Sequence, residues 1–549
     1  MTDKKTISPK KPHRSKKDES TDASPSIEVG GNVKESNLII GDNNQVTTTN
    51  NINLARNITK VIKNARPRDF ILYTSLFLIA LSGVFYLFWY NNLRYDRAIS
   101  SGQLNILVVP FVEEKPWRYG QSDLGWNIAQ IFSDGVEDSF EQSGIDISVK
   151  ILGPSDKVPT IFGFNETQLN HSAETISEKI NGQIVIYGVI SQDEYGDSIV
   201  SVKFYISPTN FGEAQELISD SMMGELSLGS FRLTGDMVSG ADLLAQNKEL
   251  RDRLEIFSSI INFLGAYVGE DFALAQDYIT QASDQSLWSN TNGLEVVYLI
   301  QGNMKIRQAR VMMVHQDLEG AMEIIEQAKS NFEKANDNST RNGNGSYVRA
   351  YLGLAGAEGL LAIAEANIEK DASLINTAAL DRSLKYLDEA QNAEYQPETA
   401  DVSVKVNYGK AQIALAYFAK TGDSQYLEEA KTNYQFVVDE YEGTKNERVS
   451  EYAALSHSGL GHIAKQNYEY ETGVEHFLSA QEITVNPSLK VQCLVNVADI
   501  YFETKIYEKA LKYYEDILSR RGDLEKSISI QRIEEIKERI DFIKNGGLL

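Results

Sequence analysis

At 549 residues the chain is longer than one hydrophobic core supports, because domains usually hold about 100 to 200 residues, so several folding units are expected. Charged residues make up 24% and apolar residues 42%, a balance that excludes a polytopic membrane protein. The net charge of -24 is uneven: residues 1–69 hold 13 Lys and Arg against 8 Asp and Glu, and the remainder holds 40 against 69, a net of -29 that repels nucleic acid.

The N-terminal segments are polar. Residues 1–26 form a Lys-rich run that predicts a disordered basic tail, which either attracts an anionic surface or is simply solvated. Residues 27–54 alternate apolar residues with Gly and Asn, which predicts a short β-rich segment with tight turns. Its sequence, GNVKESNLIIGDNNQV, resembles Gly/Asn-rich segments at the ends of bacterial signalling and defence proteins, and this resemblance implies an adaptor role.

The next stretch has the pattern of a membrane anchor. Residues 70–90 contain no charge, and 21 residues at about 1.5 Å each cover a hydrocarbon core of roughly 30 Å, so we expect a transmembrane helix. Residues 55–69 form a basic juxtamembrane segment with five Lys and Arg, whereas only Arg94 and Arg97 follow the apolar stretch. The charge bias predicts a single-pass protein of the cell membrane with a cytoplasmic N-terminus and extracytoplasmic C-terminal domains.

Residues 91–222 have the pattern of a small α/β layer domain. The apolar run 104–112 predicts a buried strand, residues 124–140 a helix, 145–152 a strand and 166–180 a second helix. Residues 182–191 and 198–207 flank a turn and predict a β-hairpin. The segments ILVVPF, FSDGVEDSF, VKILGPSDK and AETISEKINGQIVIYGVISQ resemble the TolB-type amino-terminal domain of some bacterial membrane regulators, which implies a noncatalytic domain.

After a connecting segment, 223–249, helical spacing dominates residues 250–543 and a repeated triplet appears in it. The triplet places a small residue one turn before a large one, followed by a third small or apolar residue, so that neighbouring helices approach closely. Its occurrences are Ala275/Ile279/Ala282, Ala328/Phe332/Ala335, Ser383/Leu387/Ala390, Ala430/Tyr434/Val437, Gly473/Phe477/Ala480 and Ala510/Tyr514/Ile517. The last unit, VADIYFETKIYEKALKYYEDIL, resembles a tetratricopeptide repeat, and the unit before it keeps Leu460, Gly461 and Pro487; the resemblance implies an all-α solenoid that binds proteins.

No residue pattern points to catalysis, to a cofactor or to a metal. The six histidines, His13, His171, His315, His457, His462 and His476, form no His-Glu-x-x-His motif and accompany no cysteine cluster. The single cysteine, Cys493, lies in an apolar context typical of a core position. The glycines of RNGNGS (341–346) and GLAGAEG (353–359) predict a turn and close helix packing, not a nucleotide site.

The sequence therefore predicts a multidomain fold with one transmembrane helix, a small α/β layer domain and a tetratricopeptide-like solenoid. We expect a membrane-anchored scaffold, not an enzyme, that binds a protein or peptide through its repeats and relays a signal across the membrane; homo-oligomerisation stays open. We expect some of the residues that contact the partner to be among the C-terminal tyrosines, which are Tyr468, Tyr470, Tyr501, Tyr507, Tyr513 and Tyr514. The alternative is a ligand-sensing or catalytic envelope protein with its site at the strand ends near Val112, Gly153 or Ser191.

Overall fold

The computed structural model describes the greater part of the chain after the predicted apolar stretch. The described residues are 104–116, 118–156, 158–207, 224–233, 240–269, 271–288, 292–394, 401–444, 449–519 and 530–546. The basic tail 1–26, the β-rich segment 27–54, the juxtamembrane segment 55–69 and the apolar stretch 70–90 lie outside the described residues.

The predicted membrane-spanning fold is corrected. Within the residues that the structure describes, no helix combines the length and apolar composition that a membrane crossing requires. Even the Ala- and Leu-rich helix Val348–Glu369 carries Arg349, Glu358 and Glu365. On this finding the fold class is a mostly helical repeat protein with a small α/β domain, and the predicted single-pass membrane location, with its orientation, is withdrawn.

The first part of the described chain forms one mixed sheet. Its strands are β1 (Leu104–Val108), β2 (Val112–Lys115), β3 (Arg118–Gln121), β4 (Val149–Leu152), β5 (Ile184–Gln192), β6 (Ser198–Ile206) and β7 (Gly224–Leu233). Strand β1 pairs in parallel with β4 and β5, and β2 continues along the same side of β5 before turning back into β3. The predicted hairpin is present as β5 and β6, which pair antiparallel from Ile184 opposite Ile206 to Gln192 opposite Ser198.

Two helices cover this sheet, one on each face. Helix α1 (Asp123–Gln142) begins where the Ser122 side chain accepts a hydrogen bond from the Gly125 amide, and it buries Ile128, Phe132 and Val136 against one face. Helix α2 (Glu166–Ile180) is capped by Asn165 and covers the opposite face. Strands buried on both faces explain the nearly continuous apolar runs in the sequence.

Strand β7 lies within residues 223–249, which the sequence suggested as a connector. It pairs antiparallel with β6, and the register shifts between the pairs Ser201/Ser230 and Lys203/Ser227, which marks a bulge in β7. Gly229 in the bulge has a φ of 73°, and a Cβ there would meet the Asn292 carbonyl oxygen at 2.3 Å. The bulge therefore lets the sheet edge approach the turn that precedes the second helical hairpin.

The rest of the described chain forms helical hairpins. The helices are α3 (Gly240–Gln246), α4 (Lys248–Val268), α5 (Phe272–Ala282), α6 (Leu294–Val314), α7 (Leu318–Arg341), α8 (Val348–Glu369), α9 (Thr377–Gln391), α10 (Val402–Thr421), α11 (Ser424–Thr444), α12 (Ser450–Gln466), α13 (Tyr470–Ile483), α14 (Pro487–Glu503), α15 (Tyr507–Ser519) and α16 (Ile530–Lys544). From α4 to α15 they pair as first and second helices of six hairpins, and α16 packs on α15. Pro487 is the first residue of α14, where its missing N–H costs nothing, and Asn486 caps that helix.

The predicted helical repeats are confirmed by the packing of the repeated triplets. All six triplets lie on second helices, and all eighteen of their residues are buried. The large members pack where the first helices carry glycine: a Cβ built on Gly302 or Gly353 would meet the Phe332 ring at 2.5 Å, and one on Gly459 would meet the Tyr434 ring at 2.5 Å. The period is irregular because α4, α6, α7, α8 and α11 exceed 20 residues while the other helices of the hairpins are shorter.

Candidate functional site

The inner face of the helical repeats is defined by how the first helices pack. Helix α6 contacts α8, α8 contacts α10, α10 contacts α12 and α12 contacts α14, whereas no comparable contact joins successive second helices in the described part of the chain. The first helices therefore lie on the inside of the curvature. We call the side of these helices that points away from the second helices the inner face.

Helix α6 places two arginines on the inner face. On its other side Gln301 donates to the Ile279 carbonyl on α5, and Gly302 lies against Phe332 on α7. At about 100° per residue, Arg307 lies on the side away from both contacts, whereas Arg310 lies opposite Gln301 and about 80° from Gly302; the two arginines are one helical turn apart. Arg310 is exposed, and Arg307 is half-buried with an Nε that has no hydrogen-bond partner in the structure.

Helix α8 leaves open space on the inner face. Its outer side carries Glu358, which pairs with Lys329 on α7 at 2.8 Å and with Arg382 on α9 at 2.8 Å. Gly356, two residues earlier, points the opposite way, and a Cβ built there meets no atom within 4 Å. Gly356 is exposed, and we call the open space in front of it the gap.

Helix α10 supplies tyrosine and amide groups at the edge of the inner face, where they contact the second helix α11. The ring of Tyr408 lies 5.3 Å from that of Tyr452 on α12 and 6.0 Å from that of Tyr434 on α11. Gln412 donates to the Tyr434 hydroxyl at 2.7 Å and to the Tyr408 hydroxyl at 3.2 Å. Burial raises the pKa of Tyr408 to about 12, against the opposing effect of the nearby Arg310 charge. Tyr408 therefore stays a neutral hydroxyl at physiological pH.

Electrostatics link α4, α6 and α10 across the inner face. Burial, and then the like charge of Arg307, lower the pKa of Arg310, while the hydroxyls of Tyr267 and Tyr408 oppose that shift. The Arg310 guanidinium is thus reached by solvent and at the same time enclosed by protein.

Charge is distributed unequally between the two sets of helices. The six first helices carry 12 Lys and Arg against 10 Asp and Glu, a net of +2. The six second helices carry 8 against 20, a net of -12. The inner helices are therefore close to neutral while the outer helices carry most of the acidity of the repeats.

The tyrosines suggested as contact sources divide between core and surface. Tyr514 is fully buried and donates to Asp499 at 2.8 Å, and Tyr501 stacks on Tyr513 with ring centroids 5.8 Å apart. Tyr507 packs on Phe542 of α16. Tyr468, next to Tyr470, is 78% exposed. Much of the C-terminal aromatic content is therefore core.

Three cavities lie elsewhere. One of about 530 Å³ lies between α1, α4 and α5 and is lined by Ser139, Ser258 and Asn262. A second, of about 400 Å³, lies beside Trp288 and Arg341. The third, about 370 Å³, lies between the sheet and the repeats beside Lys203, whose ammonium group pairs with Glu225 at 2.6 Å and with Glu166. Two of the three acids that line this cavity are thus engaged in an ion-pair cluster, and the third, Glu295, accepts hydrogen bonds from Gly293 and Asn342.

Two of the three strand ends named for the alternative function, those near Val112 and Gly153, are closed by packing. Phe111 lies between β1 and β2, and a Cβ on Gly188 would meet its ring at 2.3 Å. After β4, Gly153 packs on Ser133, its amide donates to Asp156 at 2.9 Å, and the Ser155 amide donates to Gln130 at 3.2 Å. None of the three cavities is lined by Val112, Gly153 or Ser191.

The structure also places the titratable residues considered from the sequence. His457 and His476 meet with their Nδ1 atoms 3.0 Å apart between α12 and α13, and His462 packs edge-on against Phe477. Burial raises the pKa of Cys493 to about 12, so its thiol is unreactive. Among the described residues no three His, Cys, Asp or Glu side chains gather as a metal site would need.

Sequence reasoning missed Arg307, Arg310 and Tyr408. A signal for the arginines was present, since residues 296–316 contain Lys305, Arg307 and Arg310 and no Asp or Glu in a strongly acidic chain. Tyr408 carries no such local signal, because its position is set by the packing of helices that are far apart in the sequence.

Comparisons with known proteins add little. No protein-family model matches this sequence. No curated protein matches it either. A solved structure titled as the apo form of RapI is similar with a TM-score of 0.32 and 14% sequence identity, over 51% of this chain and 80% of that one. A likeness at this level carries no argument about function.

Proposed function

We propose that this chain is a binding protein that holds a peptide segment of a protein partner on the inner face of its helical repeats. The observation that carries the proposal is the open space in front of Gly356 on α8, a helix that packs between α6, which carries Arg310, and α10, which carries Tyr408. A groove formed by successive first helices offers an extended segment several side chains at once.

The groups on the inner face are those that hold a peptide. Tyr408 and Tyr452 offer apolar rings together with hydroxyls, and tyrosine loses little side-chain entropy on binding. Gln412 and the two arginines are donors for backbone or side-chain oxygens of a segment. Because these groups come from α6, α10 and α12, a segment that contacts them all spans several repeats.

The proposal treats the chain as noncatalytic, which rests on the absence of catalytic motifs in the sequence. It also keeps the resemblance of the α/β domain to the TolB-type amino-terminal domain, which implies a supporting rather than a catalytic role. In this proposal the sheet holds the first repeats in place and the repeats bind.

The test places a bulky side chain in the open space in front of Gly356. Peptides that bind the full-length chain are selected from a random 12-residue display library, and their dissociation constants are measured by fluorescence anisotropy. Gly356→Trp places an indole where the structure has open space, so we expect binding to weaken at least about tenfold, the equivalent of about 1.4 kcal/mol.

The matched control is Gly443→Trp. Gly443 lies near the end of the outer helix α11, and a Cβ there also meets no atom within 4 Å. We expect this variant to bind like the unmodified chain. Equal affinity of Gly356→Trp and Gly443→Trp for every selected peptide, or failure to select any peptide, would overturn the proposal.

A further inference from the structure

The two inner-face arginines lack counter-charges. Arg307 and Arg310 make no ion pair with any residue that the structure describes, although the chain after residue 69 has a net charge of -29. The one carboxylate on the same helix, Glu295, accepts from the Gly293 amide at 3.0 Å and from Asn342 at 3.2 Å. It lies twelve residues before Arg307, roughly 18 Å along the helix axis.

Two other arginines that contact neighbouring helices have acidic partners. Arg382 pairs with Glu358, and Arg539 with Asp499 at 2.7 Å. Acidic side chains are abundant on the second helices, so the lack of a partner for Arg307 and Arg310 follows from their direction, away from those helices. A half-enclosed guanidinium without a partner loses hydration and gains nothing in return.

An external carboxylate satisfies this requirement. The guanidinium fork matches a carboxylate with two parallel hydrogen bonds, and such charge-assisted bonds are stronger than neutral ones. Arg307 and Arg310 are one helical turn apart, about 5–6 Å between Cβ atoms. In an extended segment, alternate side chains share a face and are separated by roughly 6.6 Å, twice the rise per residue.

We infer that the inner face binds an acidic peptide segment in which two carboxylates, separated by one residue, pair with Arg307 and Arg310. This inference rests on the proposed function and specifies the chemistry of its partner. The acidic outer helices repel such a segment, so binding is confined to the inner face. Nucleic acid is disfavoured because the chain as a whole is strongly negative.

The test compares peptides that differ only at the paired positions. Ten-residue peptides with otherwise randomised positions carry Glu-Xaa-Glu, Gln-Xaa-Gln, Lys-Xaa-Lys or phosphoserine-Xaa-phosphoserine at the centre, and an array of them is probed with the full-length chain. We expect the Glu-Xaa-Glu set to be the most enriched. The double variant R307Q/R310Q should weaken its best member at least about tenfold, since each charge-assisted bond is worth that much.

The control variant is K431Q/K512Q, which removes two exposed lysines from the second helices α11 and α15. It changes the net charge by the same amount, and we expect less than a twofold change in affinity. The variant R307K/R310K keeps both charges and loses the forks, so its affinity should lie between those of the unmodified chain and R307Q/R310Q. Circular dichroism melting shows whether each variant folds.

Measuring Gly356→Trp in the same array distinguishes a failure of this inference from a failure of the proposed function. If bound peptides respond to Gly356→Trp but show no Glu-Xaa-Glu enrichment, or ignore R307Q/R310Q, the groove binds peptides of other chemistry and only this inference is overturned. Preference for phosphoserine over glutamate also overturns the carboxylate assignment. If Gly356→Trp changes the binding of no peptide, the proposed function and this inference are both overturned.

Discussion

At the scale of single residues, the repeats depend on pairing a large side chain with glycines on the flanking first helices. The Phe332 ring on α7 lies between Gly302 on α6 and Gly353 on α8, each so close that a Cβ would stand 2.5 Å from a ring carbon. Gly356, one turn after Gly353 on the same helix, faces open space instead. Two glycines on one helix therefore have opposite roles.

This difference predicts opposite effects of the same substitution. Gly353→Ala forces the Phe332 ring to move between two helices that confine it, so we expect a loss of about 1–3 kcal/mol. Gly356→Ala meets no atom and replaces a poor helix former, so we expect a gain of up to about 1 kcal/mol. Urea unfolding followed by circular dichroism measures both midpoints; similar shifts in the two variants would contradict this account.

At the scale of elements, α4 and β7 join the α/β domain to the repeats. Arg253 on α4 donates from one guanidinium nitrogen to the Leu228 carbonyl in the β7 bulge at 2.9 Å and to the Asn292 carbonyl at 3.2 Å. Its guanidinium also lies 4.5 Å from the centre of the Trp288 ring. Burial lowers the pKa of Arg253 to about 10, which leaves it charged near neutral pH.

Removing this junction should destabilise the chain. Arg253→Met keeps the length and apolar volume of the side chain and removes the charged donor to both carbonyls, so we expect a loss of about 3 kcal/mol or more. Arg251→Met is the matched control, since Arg251 is exposed on the same helix and bonds the Leu244 and Ala245 carbonyls. Calorimetric melting measures both; an equal decrease would show that the bulge contacts contribute little.

At the scale of the whole described molecule, one continuous core runs from the sheet into the repeats. The same apolar cluster includes Ile106 and Ile186 of the sheet, Phe132 of α1, Phe257 of α4 and Phe332 of α7. The sheet therefore covers the face of α4 that a preceding hairpin would cover in a longer array. Terminal repeats need such a cover because an exposed apolar face lowers the solubility of the protein.

A shared core predicts that sheet and repeats lose protection together. The Phe257 ring lies 5.6 Å from that of Phe132 and 5.9 Å from that of Phe204, so Phe257→Ala should cost about 3–5 kcal/mol. Hydrogen–deuterium exchange should then accelerate in both β5 and α6. Phe436→Ala, at a residue that is 40% exposed, is the control and should change neither. Acceleration in α6 alone would indicate two independent units.

The amino-acid pattern is sufficient to predict the local elements and the repeat. Buried strands are recognised as apolar runs, and the spacing of small and large residues predicts the six triplets on helices, because both patterns follow from which face of an element is buried. The membrane-spanning fold class was the error at this level, since hydropathy alone assigned it and no helix of the described chain supports it.

The location of the candidate site depends on how distant helices pack together. Arg307, Gly356 and Tyr408 are separated by about fifty residues at each step, and nothing in their local sequence says that they share one face. The same holds for β7, because the role of its bulge is evident only from its contact with the turn at Asn292. Periodicity reports which side of a helix is buried, whereas the curvature that brings the exposed sides of α6, α8 and α10 together arises from packing between hairpins.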